Sequence, residues 1–154
     1  MKLTHKSVTQ EDALGCGVAC VAYILGLPYK QALLLFNNPE KAKTKGFTVK
    51  DLSLALNKES SVPYKTRYVG RTLHLNILDQ TIVYVKKCDE FPFGHYLVKN
   101  SRGFMDPCIN LTKAKEDISL AKSGFRKSFP GKIVLVVMPV EKDSRTGKAS
   151  SSCL

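Results

Sequence analysis

Cys16 stands in Gly15-Cys16-Gly17-Val18-Ala19-Cys20, six residues after Gln10, and His95 and Asp106 follow much later in the chain. A thiol, an imidazole, a carboxylate and an amide are the parts from which nucleophilic acyl transfer is built. A free thiol has a pKa near about 8.5, so only a few per cent is thiolate at neutral pH. A histidine that takes the proton and stays beside the sulfur raises that fraction. Placing the cysteine in the first turn of a helix also aims the positive end of the dipole at it. Cys16 is therefore the expected nucleophile, and His95, in Gly94-His95-Tyr96-Leu97-Val98, the expected general base. Asp106, in Met105-Asp106-Pro107, would accept the other ring N–H of His95 and fix its tautomer. Gln10 would donate its side-chain amide to the oxyanion, with the Cys16 backbone N–H as second donor. Losing one such donor typically removes roughly 3–4 kcal/mol of transition-state stabilisation. Gly15 and Gly17 are expected to keep the turn narrow, so that a substrate backbone reaches the sulfur and small residues are favoured at the cut.

Those residues work together only if the elements around them bring them to one place. Cys16 to Leu25 is apolar nearly all round, as in a buried central helix, and Gly26 ends it. Pro28 opens a second helix expected to reach Asn37, and the charged segment from Asn38 to Phe47 reads as a loop. Thr48 followed three residues later by Asp51 resembles a capping box and starts a third helix. Strands are expected at Tyr64 to Tyr68, Thr81 to Val85, His95 to Lys99 and Ile133 to Met138. The turn signals at Asn100 to Gly103 and at Asp106-Pro107 imply a tight hairpin that sets the His95 strand beside one ending near Asp106. Helices first and strands afterwards give an α+β fold, with N-terminal helices packed on a C-terminal antiparallel sheet. Residues 1–140 form the expected domain and 141–154, small and polar, a flexible tail.

Gln10, the Gly-Cys-Gly-Val-Ala-Cys string, Gly94-His95-Tyr96-Leu97-Val98 and Met105-Asp106-Pro107 together resemble the C39 peptidases of the papain-like clan. The resemblance runs from about residue 5 to 140 and takes in Gly46-Phe47-Thr48 and Phe129-Pro130-Gly131. C39 domains clip double-glycine leader peptides from bacteriocin precursors and are usually fused to an ABC exporter. The resemblance implies a papain-like fold, an oxyanion glutamine at Gln10, a nucleophile at Cys16, a base at His95 and an orienting aspartate at Asp106. The family usually carries Asp where this chain has Gly15, and the 154 residues include no membrane or ATPase part of an exporter. A peptide or protein substrate follows from it, with a cell-wall peptide amidase as a related enzyme reading.

The other chemistry-bearing residues have plainer readings. Cys20, Cys88 and Cys108 are expected to serve as small hydrophobes. His5 and His74 lack any supporting context and read as surface residues. Cys16 and Cys20 share a helix face, but structural zinc prefers closely spaced thiolates on loops, so neither a metal nor a cofactor is expected. Five cysteines, an odd number with no CxxC pair, suit a reducing cytoplasm rather than a disulfide framework. The N-terminal stretch has no apolar h-region and the longest apolar run is too short for a bilayer, so no signal peptide and no membrane span are expected.

The net charge is +11, of which the tail accounts for +1. An ordinary lysine-rich surface explains this better than contact with nucleic acid or an anionic surface, because no run of five basic residues occurs. The competing functional reading is a binding module that holds a protein or nucleic acid on its basic face.

Overall fold

The computed structural model describes residues 6–70, 77–111 and 117–140, together with the backbone of 142–143 and 148–149. His5, His74 and Cys153 lie outside the described residues, as does most of the segment read as a tail.

Four helices come first. α1 (Cys16–Leu25) ends at Gly26 in the left-handed conformation, as its sequence anticipates. Val18, Ala19, Cys20, Val21 and Ala22 are all 0% exposed, so the helix that is apolar all round is buried all round. α2 (Tyr29–Leu33) starts after Pro28 but stops short of the expected end at Asn37. Leu34, Leu35 and Phe36 each bond three residues back instead, tightening the chain into successive turns.

The segment expected to be a loop contains a one-turn helix, α3 (Lys41–Thr44). Asn38-Pro39 starts it, with Pro39 where a missing N–H does no harm, and Ala42 is buried beneath it. α4 (Val49–Glu59) carries the expected capping box, with Asp51 N–H donating to Thr48 Oγ1 and Thr48 N–H donating to Asp51 Oδ2. Lys41 Nζ closes on the same Asp51 carboxylate at 2.9 Å and so ties α3 to α4.

The second half forms one six-stranded antiparallel sheet. Its strands are β1 (Tyr64–Tyr68), β2 (Ile82–Val85), β3 (His95–Asn100), β4 (Gly103–Asp106), β5 (Gly124–Arg126) and β6 (Ile133–Pro139). Their spatial order is β1-β6-β2-β3-β4-β5, so the last strand inserts between the first two. β5 was not anticipated from sequence. α1 packs against α2, α4 and β3. The alternation of strands splits the apolar residues between two faces. Ile82, Tyr96, Val98 and Val137 join the helices in the main core, whereas Val83, Val85, Leu97 and Val136 build a second cluster with Phe91. Beyond the sheet, β7 (Lys142–Asp143) pairs with β8 (Lys148–Ala149). Among the described residues no helix is long and apolar enough to cross a membrane.

Candidate active site

Cys16 is the first residue of α1, with Gly15 as an N-cap that offers no side chain to the first-turn amides. Among the described residues the Cys16 N–H makes no hydrogen bond, as the first donors of a helix cannot within the helix itself. The turn before it is tightly held. Gly15 N–H donates to the Asp12 carbonyl at 3.0 Å and Leu14 N–H to the Ala42 carbonyl at 2.9 Å. Tyr29 OH donates to Asp12 Oδ2 at 2.8 Å.

The two glycines beside Cys16 serve a different purpose from the one expected. Both are buried, and neither lines the cleft. A Cβ on Gly15 would lie 2.0 Å from the Tyr29 hydroxyl, and one on Gly17 would lie 2.7 Å from a Leu52 methyl. They are small so that α1 can seat against α2 and α4, not to admit a substrate. A preference for small residues therefore rests on the family resemblance alone.

Gln10 is not a residue of a solvated loop: it is 5% exposed. Its backbone N–H donates to the Pro107 carbonyl at 3.2 Å, which joins the turn before Cys16 to the residue after Asp106. Its Nε2 lies 3.0 Å from the Asp12 carbonyl oxygen and 3.2 Å from that of Ala13. Carbonyls pair only with N–H groups, so the amide can face them one way round. Its Oε1 is buried without a partner among the described residues.

His95 opens β3 directly after Gly94, whose φ of +77 lets the chain turn sharply into the strand. A side chain on Gly94 would also collide with Tyr84 OH. His95 Nε2–H donates to Asp106 Oδ1 at 2.7 Å, which leaves Nδ1 as the nitrogen for Cys16. Phe91 stacks on the imidazole with ring centroids 4.6 Å apart and planes 24° apart. Burial alone would push the imidazole down. Hydrogen bonds to Asp106 and to the Cys16 side chain, with the charges of both, outweigh it and raise the pKa to about 10. An imidazolium beside Cys16 is the form this environment favours.

Asp106 ends β4 and is 0% exposed. Its Oδ1 also accepts from the Cys108 N–H at 2.9 Å, and its Oδ2 accepts from Arg126 Nη1 at 2.9 Å. Burial pushes the carboxyl up, but the His95 hydrogen bond and charge, the Cys108 N–H and Arg126 together hold it below the usual range.

Gln10, Cys16 and His95 line an open cleft of about 610 Å³, and Asp106 stands behind His95. All four residues singled out from sequence are thus brought together. Lys43, Lys45, Glu90, Phe91 and Phe93 also line the cleft. Phe93 is 57% exposed and forms a lip. Cys108 lines the same cleft, whereas Cys20 is wholly buried in the core, where burial pushes its thiol well up. Cys88 packs partly buried against the second cluster.

Phe91 and Arg126 were not anticipated as part of the site. Phe91 had a signal in Phe91-Pro92-Phe93-Gly94, an aromatic loop immediately before the histidine. Arg126 had none, because its strand was not recognised. Among the described residues no group of three or more His, Cys, Asp or Glu is placed to hold a metal ion. No protein-family model, no curated protein and no solved structure matches the chain.

Proposed function

We propose that this chain is a papain-like cysteine peptidase of the C39 kind. The observation that carries the reading is the linked set at the cleft. The Cys16 thiol stands at a helix tip against His95, whose far nitrogen is held 2.7 Å from a fully buried carboxylate. His95 favours its protonated form there, which is what a resting thiolate requires of its neighbour.

Cys16 sulfur attacks the carbonyl carbon of a peptide bond. The Cys16 N–H and one hydrogen of the Gln10 amide hold the oxyanion, the other amide hydrogen remaining on the Asp12 and Ala13 carbonyls. His95 gives its proton to the leaving amine, and the C–N bond breaks to leave a thioester on Cys16. His95 then takes a proton from water, which attacks the thioester; the C–S bond breaks, the acid leaves, and the Cys16 thiolate is restored beside the His95 imidazolium. Asp106 keeps the imidazole oriented through both halves.

The test is cleavage of a peptide library, with double-glycine sequences included, by the wild-type chain and by Cys16→Ala and His95→Ala. The wild type should cut and both variants should not. Residue-resolved alkylation runs alongside: Cys16 should react with iodoacetamide faster than Cys153 near pH 6 (roughly, where ordinary thiols are almost wholly protonated). Equal rates, unaffected by His95→Ala, would sink the peptidase reading and leave the binding module.

A further inference from the structure

The peptidase chemistry accounts for Cys16, His95, Asp106 and Gln10, but not for the cation on the far side of Asp106. Arg126 reaches that carboxylate by register. It is paired across the strands with Phe104, two residues before Asp106, so Arg126 and Asp106 are diagonal neighbours on one face. Its Nη1 meets Asp106 Oδ2 at 2.9 Å, and its Nε–H donates to the Ser128 carbonyl at 2.7 Å. The guanidinium is therefore held at two points, with a side chain 24% exposed against a carboxylate that is 0% exposed.

Charge counting explains what such a cation does. A thiolate, an imidazolium and a carboxylate sum to one negative charge, and an uncompensated buried charge is costly. Arg126 brings the set to neutrality. The other titratable groups facing the pair do not carry this charge. Tyr29 on α2, Tyr84 on β2 and Tyr96 on β3 all have hydroxyls pushed up by burial, and so does the Cys20 thiol on α1. They stay neutral through the working range. The Cys108 thiol lines the cleft. Lys43, Lys45 and Glu90 stand along it but are exposed, so water screens them. Among the described residues Arg126 is the cation in hydrogen-bond contact with the network.

We propose that Arg126 is a positioning residue of this site: by ion-pairing with buried Asp106 it sets the pH window in which the Cys16 thiolate and the His95 imidazolium coexist. The proposal rests on the ion pair of the peptidase reading and not on any substrate. Removing a cation beside the network makes every proton in it harder to lose. The acid limb, where the thiolate forms, and the alkaline limb, where the imidazolium is lost, both move to higher pH.

The experiment measures iodoacetamide alkylation of Cys16 in the full chain from about pH 4 to about pH 9, with each cysteine resolved by mass spectrometry. Arg126→Gln should move the acid limb of Cys16 up by about one pH unit, roughly a tenfold slower reaction at fixed pH on that limb. Arg126→Lys keeps a cation and should leave the limb close to its wild-type place. A limb that stays put in Arg126→Gln, or moves as far in Arg126→Lys, overturns the proposal. Should Arg126→Gln not fold, Arg126→Met, which also removes the charge, takes its place: an acid limb displaced upward supports the proposal, and one that stays put overturns it. The two readings fail separately. A wild-type Cys16 with no low-pH limb ends the peptidase reading itself. A low limb that Arg126→Gln does not shift ends only the role of Arg126.

Discussion

The two walls of the cleft are held by different physics. On the helix side, the turn from Gln10 to Gly17 is fixed by backbone carbonyls and close packing. The Gln10 amide rests on two carbonyls, Leu14 is tied to Ala42, and Gly15 makes room for Tyr29. On the sheet side, His95, Asp106 and Arg126 are fixed by charge-assisted hydrogen bonds in a buried place. A substitution on the helix side should therefore act through geometry and be indifferent to pH. One on the sheet side should act through protonation.

The largest expected departure on the helix side comes from Gln10→Ala. If the amide supplies an oxyanion donor, kcat should fall about 10²–10³-fold with KM little changed. The acid limb of Cys16 alkylation should not move, because no charge is removed. A KM effect with kcat intact would mean that Gln10 only shapes the cleft. A displaced limb would break the division between the walls.

A smaller effect separates packing from chemistry at Gly15. Its φ of −96 is open to any residue, so what stands against a side chain is its close neighbours: first the Tyr29 hydroxyl, 2.0 Å from an added Cβ, then Tyr29 Cζ at 3.0 Å and the Asp12 carbonyl oxygen at 3.2 Å. Gly15→Ala should destabilise by about 1–3 kcal/mol through overpacking. In a Tyr29→Phe background the same change should be milder, because the closest clash has gone while the ring carbon at 3.0 Å remains. Thermal unfolding of the four proteins gives the coupling. Additive effects would place the strain elsewhere, and the glycine before Cys16 would need another cause.

How much of this could be read from the chain follows the same division. The helix wall was largely legible: Cys16 starts α1, and Thr48 with Asp51 forms the capping box of α4, because caps and apolar runs are local signals. The one-turn α3 was hidden among charges, although Asn38-Pro39-Glu40 carried a helix-start signal. The hairpin that brings His95 to Asp106 was legible from its turn residues. β5 was not, because three residues with no alternation carry no period. Arg126 was lost with it, and so was the charge balance of the site. The packing role of Gly15 and Gly17 was also illegible, since their neighbours Tyr29 and Leu52 are distant in sequence and meet them only after α1, α2 and α4 pack.

The smallest effect is the most general, since it reads the sheet wall in the absence of any substrate. His95 has its pKa raised to about 10 in the folded chain from 6.5. A group raised on folding adds stability that is full below the unfolded value and is lost as pH climbs through the folded one. Asp106 is held below its ordinary value of about 3.9, so its contribution is full above that value and is lost as pH falls through the depressed folded one. The joint contribution of these two groups should accordingly be largest between about pH 4 and 6.5 and decline on either side, which the melting temperatures of the wild type and of each variant read out by difference. His95→Gln should flatten the alkaline decline and Asp106→Asn the acid one. Gly15→Ala should lower the whole curve without changing its shape, since packing strain takes up no proton. If His95→Gln leaves the alkaline slope as it is in the wild type, the raised imidazole is not what couples the fold to pH, and the sheet wall would be held, like the helix wall, by shape.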